Sequence, residues 1–125
     1  MVLKIKYSKH QNDDDFKVIE KDEIALNDNP EKAAVDFFQQ VDNTLEKVKA
    51  NAEKIDDFVA HGMTAIEFFS NDRQYYYLFE LQHNNETINS VQELGFCLEY
   101  TEYVTAENSY KINALTSVLK NKLNV

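Results

Sequence analysis

Cysteine, proline, glycine and tryptophan are nearly missing from this chain. Cys97 and Pro30 stand alone, Gly62 and Gly95 are the only glycines, and there is no tryptophan. A single cysteine excludes an internal disulfide and any multi-cysteine zinc site, and it fits a reducing compartment. Two glycines and one proline are too few for a turn-dense β-sandwich or barrel. Two isolated glycines also make no phosphate-cradling loop. No run approaches the roughly 18 apolar residues of a membrane span. The N-terminal MVLKIKYSKH is interrupted by Lys4 and Lys6 where a signal peptide needs an apolar core. Positive charge is short as well: 13 Lys and Arg against 22 Asp and Glu leave a net charge of −9. Such a balance disfavours direct contact with nucleic acid or an anionic membrane and favours a basic protein partner. The expectation is a cytoplasmic protein.

What the chain does have is apolar residues, 43% of the total, with eight Phe and seven Tyr. That is enough for one core, and the length predicts one domain over 1–125. The longest patterned stretch runs from Pro30 to Gly62. Ala34, Phe38, Val41, Leu45, Val48, Ala52, Ile55 and Val59 recur at steps of four and three, which is one face of a helix. Asn29, Pro30 and Glu31 supply a cap, a preset φ and an acid at the positive helix end, and His61-Gly62 supplies a stop. The pattern predicts one long helix over about 30–60. Phe37 and Phe58 broaden its stripe, as packing on a sheet requires.

Alternation marks the strands. Leu3, Ile5 and Tyr7 alternate with Lys4 and Lys6, and a second strand follows at Phe16–Glu20, extendable through Ile24 and Leu26. Between them Ser8–Asp15 reads as a loop. Met63–Ser70 and Gln74–His83 flank the short turn Asn71-Asp72-Arg73, a hairpin signature. Glu86–Leu94 suggests a short helix or turn, and Phe96–Val104 a further strand. Ile112, Leu115, Leu119 and Leu123 predict a C-terminal helix over about 106–123, with Thr105 as its cap and Lys120 and Lys122 near its negative end. The fold expected is α+β: a mostly antiparallel sheet of about five strands, with the long helix and the C-terminal helix on one face.

No catalytic constellation accompanies this pattern. His10, His61 and His83 have no metal-ligand spacing and read as surface or capping histidines. Cys97 sits in a strand as a small packed residue. Asp13-Asp14-Asp15 lacks the glycine and later glutamate of a calcium loop and reads as a solvated tip. Paired carboxylates of the glycosidase kind would need a deep cleft and a larger chain. The reading is therefore a non-enzyme with no cofactor, no metal and no catalytic residue.

Charge distribution is more informative. Residues 63–105 hold seven acids and only Arg73, net −6 of the total −9. Strand alternation turns Ile66, Phe68, Tyr75, Tyr77, Phe79, Leu81, Phe96, Leu98 and Tyr100 toward the helices. The opposite face then carries Glu67, Phe69, Tyr76, Glu80, Glu99 and Tyr103 as candidate partner-binding residues. Acids steer toward Lys or Arg while aromatics anchor. Against this stands a plain solvated sheet face with cross-strand aromatic pairs. The expected function is a small acidic binding protein that neutralises a toxin, nuclease or other effector at a basic, nucleic-acid-binding site. Immunity proteins of bacterial toxin systems and phage-encoded inhibitors share this size and charge. The alternative is an assembly protein that self-associates through the heptad-spaced helix. Val35, Asp42, Lys49 and Asp56 on one flank, and Phe37, Thr44, Asn51 and Phe58 on the other, give no charge code for such a seam. A monomer is expected, with a homodimer as the alternative.

Overall fold

Asn29 and Pro30 do start a helix. In the computed structural model, which describes residues 2–12, 15–51, 54–61, 64–70, 75–84, 86–88 and 97–123, α1 spans Pro30–Ala50. The Asn29 side chain accepts from the Lys32 N–H at 3.1 Å, and Pro30 occupies the first turn. The helix ends earlier than its apolar repeat. The Asn51 N–H donates to the Lys47 and Val48 carbonyls at 3.3 and 3.2 Å, and its side-chain amide donates to the Lys47 carbonyl at 3.0 Å. Lys47 and Lys49 lie in the last turn, at the negative end of the dipole.

The rest of the expected long helix is strand β3, Ile55–His61; Ala52 lies outside the described residues. The misreading has a physical cause. β3 pairs with β4, Ala65–Ser70, with Asp56 opposite Phe69 and Val59 opposite Glu67. Two residues, Asp57 and Phe58, therefore face the single Phe68: a bulge, with Asp57 at φ 51°. One inserted residue reverses the alternation. Core-facing Ile55, Phe58 and Ala60 fall three and two apart, and the first step imitates a helix.

Among the described residues the sheet has seven strands rather than about five, six in the order β2-β1-β5-β4-β3-β7 and a seventh paired with β5 off this path, with every pairing antiparallel. β1 (Val2–Asn12) and β2 (Asp15–Ala25) make a long hairpin whose strands run through most of the expected loop. β5 (Tyr75–His83) pairs with β1 on one side and β4 on the other. The turn expected at 71–73 lies outside the described residues. Glu86–Thr87, the start of the expected helix or turn over 86–94, forms β6 against β5, and residues 89–94 lie outside the described residues. The expected strand 96–104 is short: β7 covers only Cys97–Glu99, and Tyr100–Thr105 is a helical turn, α2. Thr105 closes α2, its hydroxyl donating to the Thr101 carbonyl at 2.7 Å, so it does not cap the C-terminal helix. That helix, α3, spans Asn108–Leu123 and packs beside α1, with Lys120 and Lys122 in its last turn as expected.

Both long helices cover one face, as the sequence predicts. Ala34, Phe37, Phe38, Val41, Leu45 and Val48 of α1 and Leu115, Val118 and Leu119 of α3 join Phe58, Ala60, Ile66, Phe68, Phe79 and Leu81 of the sheet in one core. An aromatic row crosses the strands, with Phe68 at 6.0 Å from Phe58, 6.3 Å from Phe79 and 4.8 Å from Tyr77. Each fully buried large side chain contributes roughly 1.5–3 kcal/mol. The apolar stripe of α1 faces this core.

Candidate partner-binding face

The other side of the sheet is covered by neither α1 nor α3. Its residues are half-buried rather than buried: Val59 and His61 on β3, Glu67 and Phe69 on β4, and Tyr76, Leu78 and Glu80 on β5. The registers align them in rows. Asp56, Phe69 and Tyr76 make one row, and Glu99, Val59, Glu67 and Leu78 the next. His61, Ala65 and Glu80 make a third, extended by Lys4 on β1 and Glu23 on β2. Acids and aromatics interleave because period-two alternation sends every second residue of three adjacent strands to the same side.

Glu67 is the centre. It accepts a hydrogen bond from the Tyr76 hydroxyl through one carboxylate oxygen, and its other oxygen lies 3.2 Å from His61 Nε2. Phe69 packs on Tyr76 with ring centroids 5.0 Å apart. Burial pushes the Tyr76 hydroxyl well above the ordinary tyrosine range, and the hydrogen bond to Glu67 and the charges of Glu67 and Glu80 push it further. Tyr76 therefore stays neutral and donating, which fixes the carboxylate. Glu67 acts within the chain as an organiser of the face.

Five of the six residues singled out from the sequence fall on this side or at its margin. Glu67, Phe69, Tyr76 and Glu80 share the central rows. Glu99 is exposed at the end of β7, opposite Val59. Tyr103 does not belong to the face. It sits on α2, 1% exposed, inside the core between Phe38 and Phe58. The sequence reading extended β7 through it; the chain instead turns helical at Tyr100, so Tyr100 and Tyr103 both reach Phe58. Burial and the Asp42 carboxylate, which accepts from its hydroxyl at 2.9 Å, hold Tyr103 far above the usual tyrosine range.

His61 is the residue sequence reasoning missed. The helical pattern puts it at a helix end, but β3 sets it two positions from Val59 on the same side and next to Glu67 across the ladder. The available signal was the alternation Phe58–Ala60 against Val59–His61. Among the described residues, no group of three or more His, Cys, Asp or Glu is arranged to hold a metal ion, and no helix is long and apolar enough to cross a membrane. Comparison with protein-family models, curated proteins and solved structures finds no match to this chain.

Proposed function

We propose that this protein is a small acidic inhibitor that docks its open sheet face into a basic, nucleic-acid-binding site of a toxin, nuclease or comparable effector. The observation that carries this reading is the face itself: the adjacent strands β4 and β5 present Glu67, Phe69, Tyr76 and Glu80 on the side away from both long helices, with Glu99 at the margin. The residues 63–105 that build most of it hold two-thirds of the net charge of −9. Acids on such a face steer a cationic partner into encounter, and half-buried aromatics held by cross-strand packing anchor it with little ordering cost. Glu67 holds Tyr76 and His61 in place, and Glu80 on β5 and Glu99 at the margin add two further carboxylates to the surface. Tyr103, being buried, takes no part.

The test is affinity capture from the native host with the wild-type chain and with an E80K/E99K variant, read by mass spectrometry. The wild type is expected to retain one basic, nucleic-acid-binding protein and to release it as salt rises. The variant is expected to lose it while keeping a wild-type circular dichroism spectrum. Retention that survives charge reversal refutes this face.

A further inference from the structure

The open face carries a charge pattern that a second copy of the chain complements. One row crosses the sheet in register: Glu99 on β7, Val59 on β3, Glu67 on β4, Leu78 on β5, Lys6 on β1 and Lys21 on β2. It starts with acid at one edge of the sheet and ends with base at the other. The neighbouring rows lean the same way. Asp56 on β3 heads one of them, and Lys4 on β1 stands toward the far edge of the other, alongside Glu23 on β2. Between the two ends the row is apolar and half-buried at Val59 and Leu78, with Phe69 and Tyr76 in the adjoining row.

Two sheets can lie face to face, strands nearly aligned and about 10 Å apart, in either of two symmetric ways. A two-fold axis perpendicular to the strands lays each strand over its own copy. Glu99 then meets Glu99, and Lys21 meets Lys21. A two-fold axis parallel to the strands, running over the boundary between β4 and β5, exchanges the edges. It sets β2 of one copy over β7 of the other, β1 over β3 and β5 over β4, as the strand order requires. Lys21 then stands over Glu99 and Lys6 over Val59, beside Glu67. Every such pair occurs twice, because the contact is isologous. Opposed charge at both ends favours the second arrangement and fixes its register.

We propose that two copies of this chain pack open face to open face about a two-fold axis parallel to the strands, the acidic edge of each on the lysine edge of the other. The surface is the one read above as a docking face, but the dimer does not rest on that reading, since it needs no effector. A basic effector and the second copy would compete for the same side of the sheet.

Isotope-labelled and unlabelled wild-type chains are mixed and treated with a water-soluble carbodiimide, which joins an amine to a carboxylate only where the two touch. Within one chain Lys21 and Glu99 lie at opposite edges of the sheet, about 24 Å apart at about 4.8 Å per strand, so a link between them reports a second copy. Peptide mass spectrometry is expected to find the Lys21–Glu99 link in mixed-label form, and light scattering after size exclusion is expected to read a dimer. D56K/E99K and K6E/K21E are each expected to weaken that dimer about tenfold or more. An equimolar mixture of the two is expected to regain it, because each variant supplies the charges the other has reversed; recovery also shows that both are folded. A wild type that runs as a monomer, or a dimer without the mixed-label Lys21–Glu99 link, would overturn the proposal. The K6E/K21E chain keeps Glu80 and Glu99 and is expected still to capture a basic effector, so loss of the dimer and loss of capture are read separately.

Discussion

Replacing Tyr103 by Phe removes one oxygen from the centre of the helical layer and leaves the ring where it is. The ring contacts with Phe38 and Phe58, at 6.3 and 5.0 Å, survive the change. What is lost is the hydroxyl that donates to Asp42 at 2.9 Å. Hydrogen bonds to a charged partner contribute about 1.5–3 kcal/mol. Asp42 is only half-buried, so water replaces part of the loss and the low end applies, about 1.5 kcal/mol. For a chain of this size that lowers the melting temperature by about 4–7 °C. Asp42→Ala is expected to cost more, because it also removes the carboxylate that offsets the burial of Lys111. The double variant is expected to lie close to Asp42→Ala alone, with a coupling of about 1 kcal/mol or more. Urea unfolding followed by far-ultraviolet circular dichroism measures all three. A Tyr103→Phe protein within about 0.3 kcal/mol of wild type, or strict additivity with Asp42→Ala, would refute the assignment of this hydroxyl as a structural clamp.

At the β3 bulge, Asp57→Gly is expected to fold with little change in its denaturation midpoint, whereas Asp57→Val is expected to cost about 1–2 kcal/mol, because a β-branched side chain is strained at φ 51°; equal tolerance of the two counts against the bulge. In alkali, Tyr76 and Tyr103 have folded pKa values above the unfolded value of 10.0. Their contribution is fully present below pH 10 and is lost as pH rises above it, so stability falls there. Lys111 works in the opposite sense, its lowered pKa making stability rise as pH approaches the unfolded value of 10.5. Urea midpoints across this range are expected to decline less steeply above pH 10 in the Y76F/Y103F protein than in wild type, and an unchanged slope would count against raised values at both tyrosines.

The parts of the fold legible in the sequence are those where one rule acts alone. In β4 and β5 the alternation is unbroken, so Ile66, Phe68, Phe79 and Leu81 were assigned to the core and Glu67, Phe69, Tyr76 and Glu80 to the open side, where they lie. α1 announced its start through Asn29 and Pro30. Its end was masked, because the bulge at Asp57 placed Ile55 and Phe58 three apart and continued a helical rhythm into a strand. α2 was illegible for another reason. Tyr100, Thr101, Tyr103 and Val104 all favour strands, and the packing of both tyrosines on Phe58, with the Glu102 carboxylate accepting from the Glu99 N–H at 3.3 Å, favours the helical turn instead. The errors at the site follow from these two. The alternation carries Tyr103 onto the sheet face along a strand that stops at Glu99, and the helical rhythm leaves His61 off it along a helix that stops at Ala50.

The strand order β2-β1-β5-β4-β3-β7 has a consequence for how the sheet comes together. β3, β4 and β5 follow one another along the chain and pair as neighbours. β1 meets β5 with Lys4 opposite Glu80, across most of the chain's length. Closing so long a loop carries an entropy cost that local pairing avoids, and such contacts slow assembly. The sheet is therefore expected to grow outward from its middle, with the N-terminal hairpin arriving as a preformed unit at the exposed edge of β5. Glu67, Phe69, Tyr76 and Glu80 all belong to the early part, so the acidic surface takes shape before the lysine-bearing strand β1 is laid beside it.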